Sequence, residues 1–171
     1  MIVKLAEGNL KTKYGLFQEA LYYDGQKESI AFYQGDLKDG EAVLCRLHSS
    51  CIFGHYFNST ECSCQEEMNV SQALIQKAGK GIIILLDQEG KGNGHFALLN
   101  SVHYKRQGVA QAEAYEAAGF QKDARDYRSA AKILKDLGVK SVKMLTNNPK
   151  KVAILEAQGI EVVGTEPMIL S

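Results

Sequence analysis

Cys51, Cys62 and Cys64 fall in one short stretch, CIFGHYFNSTECSC (51–64), among polar and aromatic neighbours. Three thiols cannot pair off among themselves. The start, MIVKLAEGNL, lacks the apolar core of a signal peptide, so a reducing, intracellular setting is expected and disulfides are disfavoured. Zinc takes soft thiolate ligands in a tetrahedral shell, and three protein ligands leave a fourth position free, as a catalytic zinc requires. An open zinc position brings the pKa of a bound water near neutrality. The plain alternative is that these cysteines are small hydrophobes, as Cys45 is within an expected strand. His48 or His55 could also close the shell and make the site structural, and spacing leaves both options open.

Three further stretches carry polar side chains at useful places. In ILLDQEGKGNG (84–94), Gly90, Gly92 and Gly94 follow a buried-strand pattern, which lets backbone N–H groups approach an anion beside Lys91; a plain turn is the alternative. In LTNNPKK (145–151), an expected strand ends at Thr146 and a helix starts near Pro149, so Thr146, Lys150 and Lys151 gather at a positive helix end. A solvated lysine pair would look the same. KDARDYR (122–128) sets Asp123, Arg125, Asp126 and Arg128 ahead of a helix, ordinarily a solvated charge run in which Asp126 serves as the cap.

The elements that must position these groups follow from period. Residues 10–23, 28–37 and 41–49 are alternating or rich in β-branched and aromatic side chains, and read as strands. From Glu66 the spacing of Val70, Ala73, Leu74 and Ala78 is helical, with Gly79 as the stop. KGIIILLDQ (80–88) reads as a fully buried strand. Helices are expected over 95–106 and 111–118, and through Ala130, Ile133, Leu134 and Leu137 to Gly138. SVKMLT (141–146) is a strand, the segment from Pro149 a helix, and IEVVG (160–164) a last strand. The sum is one α/β domain over residues 1–171, a mixed sheet flanked by helices with a strand-rich N-terminal half.

Composition bounds the partners. Twenty Lys plus Arg balance twenty Asp plus Glu, so no global field draws nucleic acid or a membrane surface. GIIILL (81–86) is far too short to span a bilayer. A soluble, cytoplasmic protein acting on a small molecule is the expectation.

Taken together, RLHSSC (46–51), the C-x10-C-x-C set, QEGKGNG (88–94), GF-x-x-D-x-R-D-Y (119–127) and LTNNPKKV (145–152) resemble GTP cyclohydrolase II, over about Tyr33 to Pro167. The resemblance implies an α/β fold, usually a homodimer, and a zinc enzyme of riboflavin synthesis. Such an enzyme releases C8 of guanine as formate and two phosphates as pyrophosphate, leaving a diaminopyrimidinone ribosyl monophosphate. By matching positions, Cys51, Cys62 and Cys64 would hold one zinc per chain for the opening at C8. Arg125 would attack the α-phosphorus, with Asp123 as its acid partner. Arg46, His48, Ser49, Glu67, Glu89, Gly90, Lys91, Thr146 and Lys151 would bind the nucleotide, and magnesium would accompany its triphosphate.

The match has departures. Ser50 stands where the family has Glu, and Glu67 where it has Gln. Asp87, Lys91, Asn93 and His95 alter the glycine loop. The helix tyrosine expected near the zinc falls on Val102, with Tyr104 out of register, and a threonine falls on Gln111. Glu for Gln removes a donor, and Lys for Arg removes bidentate geometry. These changes keep two other readings in view: a relative that opens another base, such as a uracil nucleotide, and a zinc-stabilised binding module without chemistry.

Overall fold

The computed structural model describes residues 1–171. Its strands are β1 (Val3–Thr12), β2 (Gly15–Tyr23), β3 (Glu28–Gln34), β4 (Val43–Ser49), β5 (Gly81–Leu86), β6 (Ser141–Leu145) and β7 (Glu161–Glu166). The helices are α1 (Ile52–His55), α2 (Cys64–Ala78), α3 (His95–Arg106), α4 (Gln111–Ala117), α5 (Arg128–Asp136) and α6 (Lys150–Glu156). The strands form one seven-stranded sheet in the order β1-β2-β3-β5-β4-β6-β7. β1, β2, β3 and β5 pair antiparallel, while β5, β4, β6 and β7 are parallel. The expected α/β class with a mixed sheet is what the molecule has.

The apolar run of β5 is explained by cover on both faces. Ile82, Ile84 and Leu86 join Tyr22, Cys45, Leu47 and Met144 in a core closed by Ala130, Ile133 and Leu134 of α5. On the opposite face Ile83 packs with Phe17, Leu145 and Ile75 of α2. Cys45 is an ordinary buried side chain, its thiol pushed up to about 12 by burial. No helix is long and apolar enough to cross a membrane.

Two elements differ from the sequence-based expectation. Residues 10–23, expected as one strand, are the two arms of a hairpin: β1 and β2 pair across Lys13–Tyr14, and Gly15 takes φ 110° at the bend. β1 escaped notice because it is a sheet edge with no cover, so its residues show no buried face. The cysteine loop contains the one-turn helix α1, which is too short to produce a periodic pattern.

The parallel half of the sheet decides where a site can form. β4, β5 and β6 run the same way, so the chain leaves all three at one end, at Ser49, Leu86 and Leu145. Loops beyond the carboxyl ends of neighbouring parallel strands form the usual ligand crevice of such sheets. The cysteine loop, the glycine loop and the Thr-Asn-Asn-Pro turn are these three loops.

Candidate functional site

A cavity of about 380 Å³ opens at this end of the sheet. Its wall includes Cys51, Cys62, Cys64, Ser49, Glu89, Gly90, Lys91 and Arg125. Eight of the expected site residues, drawn from the end of β4 and the cysteine loop after it, the glycine loop and the 122–128 segment, therefore meet at one space.

The cysteine loop closes tightly. Cys51 caps α1, its Sγ accepting from the Gly54 N–H at 3.5 Å. A Cβ on Gly54 would lie 2.9 Å from Cys62 Sγ and 3.0 Å from Cys64, so this position must be glycine for the two arms to meet. The three Sγ atoms lie within 4.8 Å of one another, and no histidine or carboxylate joins them. Cys51 Sγ and Cys62 Sγ are 3.9 Å apart. Two thiolates on a tetrahedral zinc, each at about 2.3 Å, stand about 3.8 Å apart. Burial and mutual proximity push the Cys51 and Cys64 thiols up, which makes three metal-free thiolates costly here. A dication reverses that cost, so the donor set and its spacing fit zinc.

The two histidines do not complete this group. Their Nε2 atoms face each other at 2.9 Å, and His48, 2% exposed, has its pKa pushed down to about 3 by burial and by neighbouring Arg46. His55 Nδ1 accepts from the Cys51 N–H at 3.4 Å. The pair is a neutral strut behind the cysteine loop, and His48 is not at the cavity wall.

Glu89 anchors the floor. One carboxylate oxygen accepts from the Ile52 N–H, and the other meets His95 Nδ1 at 2.5 Å. Gln88 links three segments: its Nε2 donates to Ser49 Oγ at 3.3 Å and its Oε1 accepts from the Asp126 N–H at 2.9 Å. The glycine loop docks on the 122–128 segment, with the Ala124 N–H donating to the Lys91 carbonyl at 2.7 Å. Gly92, at φ 85°, sits so close that a Cβ would overlap the Ala124 carbonyl.

Arg125 is held in place by Asp123. Nε reaches Oδ1 at 2.9 Å and Nη2 reaches Oδ2 at 2.6 Å, a bidentate fork. This pairing raises the Arg125 pKa, so the guanidinium is a cation at rest. Asp126 and Arg128 form a second fork at 2.5 Å, but with both side chains exposed, as the charge-run reading expected.

Arg46, Glu67, Thr146 and Lys151 lie behind the cavity wall, as does Asp123. The charged ones are still coupled to Arg125 or Lys151 through charge. Burial lowers the Lys151 ammonium to about 8, helped by Arg46 and Arg125 and opposed by Glu67 and Asp123. Thr146 is buried in its own turn, its Oγ1 accepting from the Asn148 N–H at 3.0 Å.

Several wall residues were not singled out from sequence, and Tyr115 is the one with a buried polar group. Tyr115 of α4 is 1% exposed yet borders the cavity beside Val102 and Gln111, and it contributes the only phenol there. Burial raises its hydroxyl to about 12, so it is a neutral donor. α4 reads from sequence as an Ala/Glu surface helix, and nothing in that pattern marks the face that α3 covers.

Comparison with known proteins identifies the family. The family model of GTP cyclohydrolase II matches residues 3–167. Riboflavin biosynthesis protein RibBA of Bacillus cereus is 39% identical over 170 residues, covering 98% of this chain and 43% of that protein. RibBA of Chlorobium phaeovibrioides is 38% identical over the same length, covering 42% of that protein. The chain thus spans less than half the length of these curated relatives. Among solved structures, RibBX of A. baumannii, a two-domain 3,4-dihydroxy-2-butanone 4-phosphate synthase, shares the fold: TM-score 0.54 at 18% identity, covering 96% of this chain and 40% of that one. On the family match and the motifs it contains, this chain belongs to the GTP cyclohydrolase II family.

Proposed function

We propose that this chain is a zinc-dependent hydrolase that opens the guanine ring of GTP, yielding formate, pyrophosphate and a diaminopyrimidinone ribosyl phosphate for riboflavin synthesis. Residues 1–171 form one such domain, acting as a cytoplasmic homodimer. The observation that carries this reading is that the cysteine trio and Arg125 border the same cavity. Ring opening and phosphate release need a hydrolytic centre and a cationic centre within one substrate's length.

Cys51, Cys62 and Cys64 would hold the zinc, which supplies a Lewis acid and activated water when bound. Glu89 and Lys91 border the space between the cysteines and Arg125, where the base and ribose would lie. Tyr115 donates a hydrogen bond toward the base from the α4 side. Asp123 fixes the Arg125 fork, leaving Nη1 to face the α-phosphate, and such aimed cations stabilise developing phosphate charge. Lys151 adds charge from behind the wall, and magnesium accompanies the triphosphate.

The test is incubation of zinc-loaded protein with GTP and magnesium, following formate by proton and pyrophosphate by phosphorus resonance. Equal release of both is expected. Pyrophosphate without formate, or neither, contradicts the reading.

Two local predictions follow from the wall chemistry. Phosphate binding raises the Lys151 pKa, so binding takes up a proton once pH exceeds about 8. Affinity for a non-hydrolysable GTP analogue should therefore hold up to pH 8 and fall above it, by up to about tenfold per pH unit. Lys151→Met should flatten that profile in calorimetric titrations. Tyr115→Phe keeps the buried ring and removes only the donor, so kcat/KM for GTP should fall about tenfold with zinc content and Tm unchanged. An unaltered kcat/KM removes the phenol from the mechanism.

A further inference from the structure

Arg46 emerges from β4 on the α2 side of the sheet and is 5% exposed. Its nitrogens are engaged within the protein: Nε with His48 Nδ1 at 3.4 Å, Nη1 with the Leu145 carbonyl at 3.3 Å, and Nη2 with Glu67 Oε2 at 2.6 Å. Glu67 Oε1 accepts from Ser63 Oγ at 3.0 Å, so this carboxylate stands between the guanidinium and the loop bearing Cys62 and Cys64. Neither Arg46 nor Glu67 borders the cavity.

Two ion pairs, Arg46–Glu67 and Arg125–Asp123, each at 2.6 Å, both lie within electrostatic reach of Lys151. Three cations against two carboxylates leave one net positive charge. Asp123 is needed to orient Arg125, whereas Glu67 orients nothing at the wall. Its effect on the cavity is to cancel the field of a buried cation. A neutral amide of the same shape would accept the same Arg46 hydrogen bond without cancelling the charge. In a partly buried setting one full charge several ångströms from a polyanion shifts its affinity strongly.

We infer that Glu67 sets how many phosphates the site favours: paired with Arg46, it weakens the hold on a triphosphate far more than on a monophosphate. The inference rests on the proposed placement of phosphate beside Arg125 and Lys151, but needs no ring-opening step. Glu67 acts through the charge of Arg46 and is a selectivity residue, not a group that touches the reacting atoms.

The test uses inorganic probes, so the base plays no part. Tripolyphosphate and orthophosphate are titrated calorimetrically into zinc-loaded wild type, Glu67→Gln, and the double variant Glu67→Gln/Arg46→Gln. Glu67→Gln should bind tripolyphosphate about tenfold more tightly, with orthophosphate changed about threefold or less and zinc content unchanged. The double variant should lose the gain. A gain of affinity cannot come from misfolding. Unchanged or weaker tripolyphosphate binding in Glu67→Gln, no detectable tripolyphosphate binding in any form, equal gains for both anions, or a gain that survives removal of Arg46 would each overturn the inference. Absence of formate from GTP in wild type, with the tripolyphosphate gain intact, would refute the proposed reaction and leave this inference standing.

Discussion

Cys62→Ser is expected to release the metal and abolish ring opening. The three sulfurs converge to within 4.8 Å of one another, and no histidine or carboxylate stands ready to replace one of them. A serine hydroxyl stays protonated at neutral pH and is a poor ligand for zinc, so the site falls from three anionic donors to two. Zinc measured by atomic emission should drop from about one per chain to near zero, and formate release should fall at least about a thousandfold. The fold should survive, because the main cores close through α5 and α2 without the loop. Zinc near one per chain in the variant would show that the ligand set is wrong.

Arg125→Ala should separate the two halves of the site. Its guanidinium is oriented by the Asp123 fork and lies over the Tyr127 ring with 6.0 Å between guanidinium carbon and centroid. No other cation of the cavity wall is aimed in this way: Lys91 and Lys105 are point charges on flexible stems, and Arg106 is an exposed side chain held only by a 3.4 Å contact from Nε to Glu61. Loss of a preorganised cation at developing phosphate charge costs about a hundred- to thousandfold in rate. Pyrophosphate release should fall by that factor with zinc content unchanged. Asp123→Asn should cost less, since it leaves the cation in place but loosens its aim. Equal pyrophosphate rates in wild type and Arg125→Ala would remove Arg125 from the chemistry.

Much of this site was legible because its signals are about residue type. Three cysteines in a chain expected to be reduced already point to a metal, and the GIIILL run before a glycine loop already points to a buried strand feeding a turn. α3 begins and ends at the residues its period indicates, His95 and Arg106. What sequence could not supply is pairing between distant elements. Glu67 and Arg46 are 21 residues apart, on a helix and a strand, and only the sheet brings them to 2.6 Å. His48 is placed at the nucleotide by resemblance, and it follows Arg46 by two, the strand repeat. That same repeat turns both side chains toward α2 and away from the cavity. Tyr115 was hidden for a related reason: its burial comes from α3 packing on α4, a tertiary contact with no local pattern. The edge strand β1 lacked a signal because a strand without cover has no reason to alternate.

Exposed carboxylates at Asp126 show the opposite lesson. The motif that holds Asp123 and Arg125 at the site continues into Asp126 and Arg128, which form an equally short fork in solvent. Exposed pairs of this kind contribute little, and the difference between the two forks is place, not geometry. Gln88 supplies that place by holding the Asp126 backbone against β4 and β5.

Zinc-edge X-ray absorption on the metal-loaded protein addresses the metal centre itself. The cysteine trio predicts three sulfur scatterers at about 2.3 Å and one lighter oxygen or nitrogen scatterer that shifts when a GTP analogue is added. Four protein ligands with no response to the nucleotide, or fewer than three sulfurs, would contradict a catalytic metal facing the cavity.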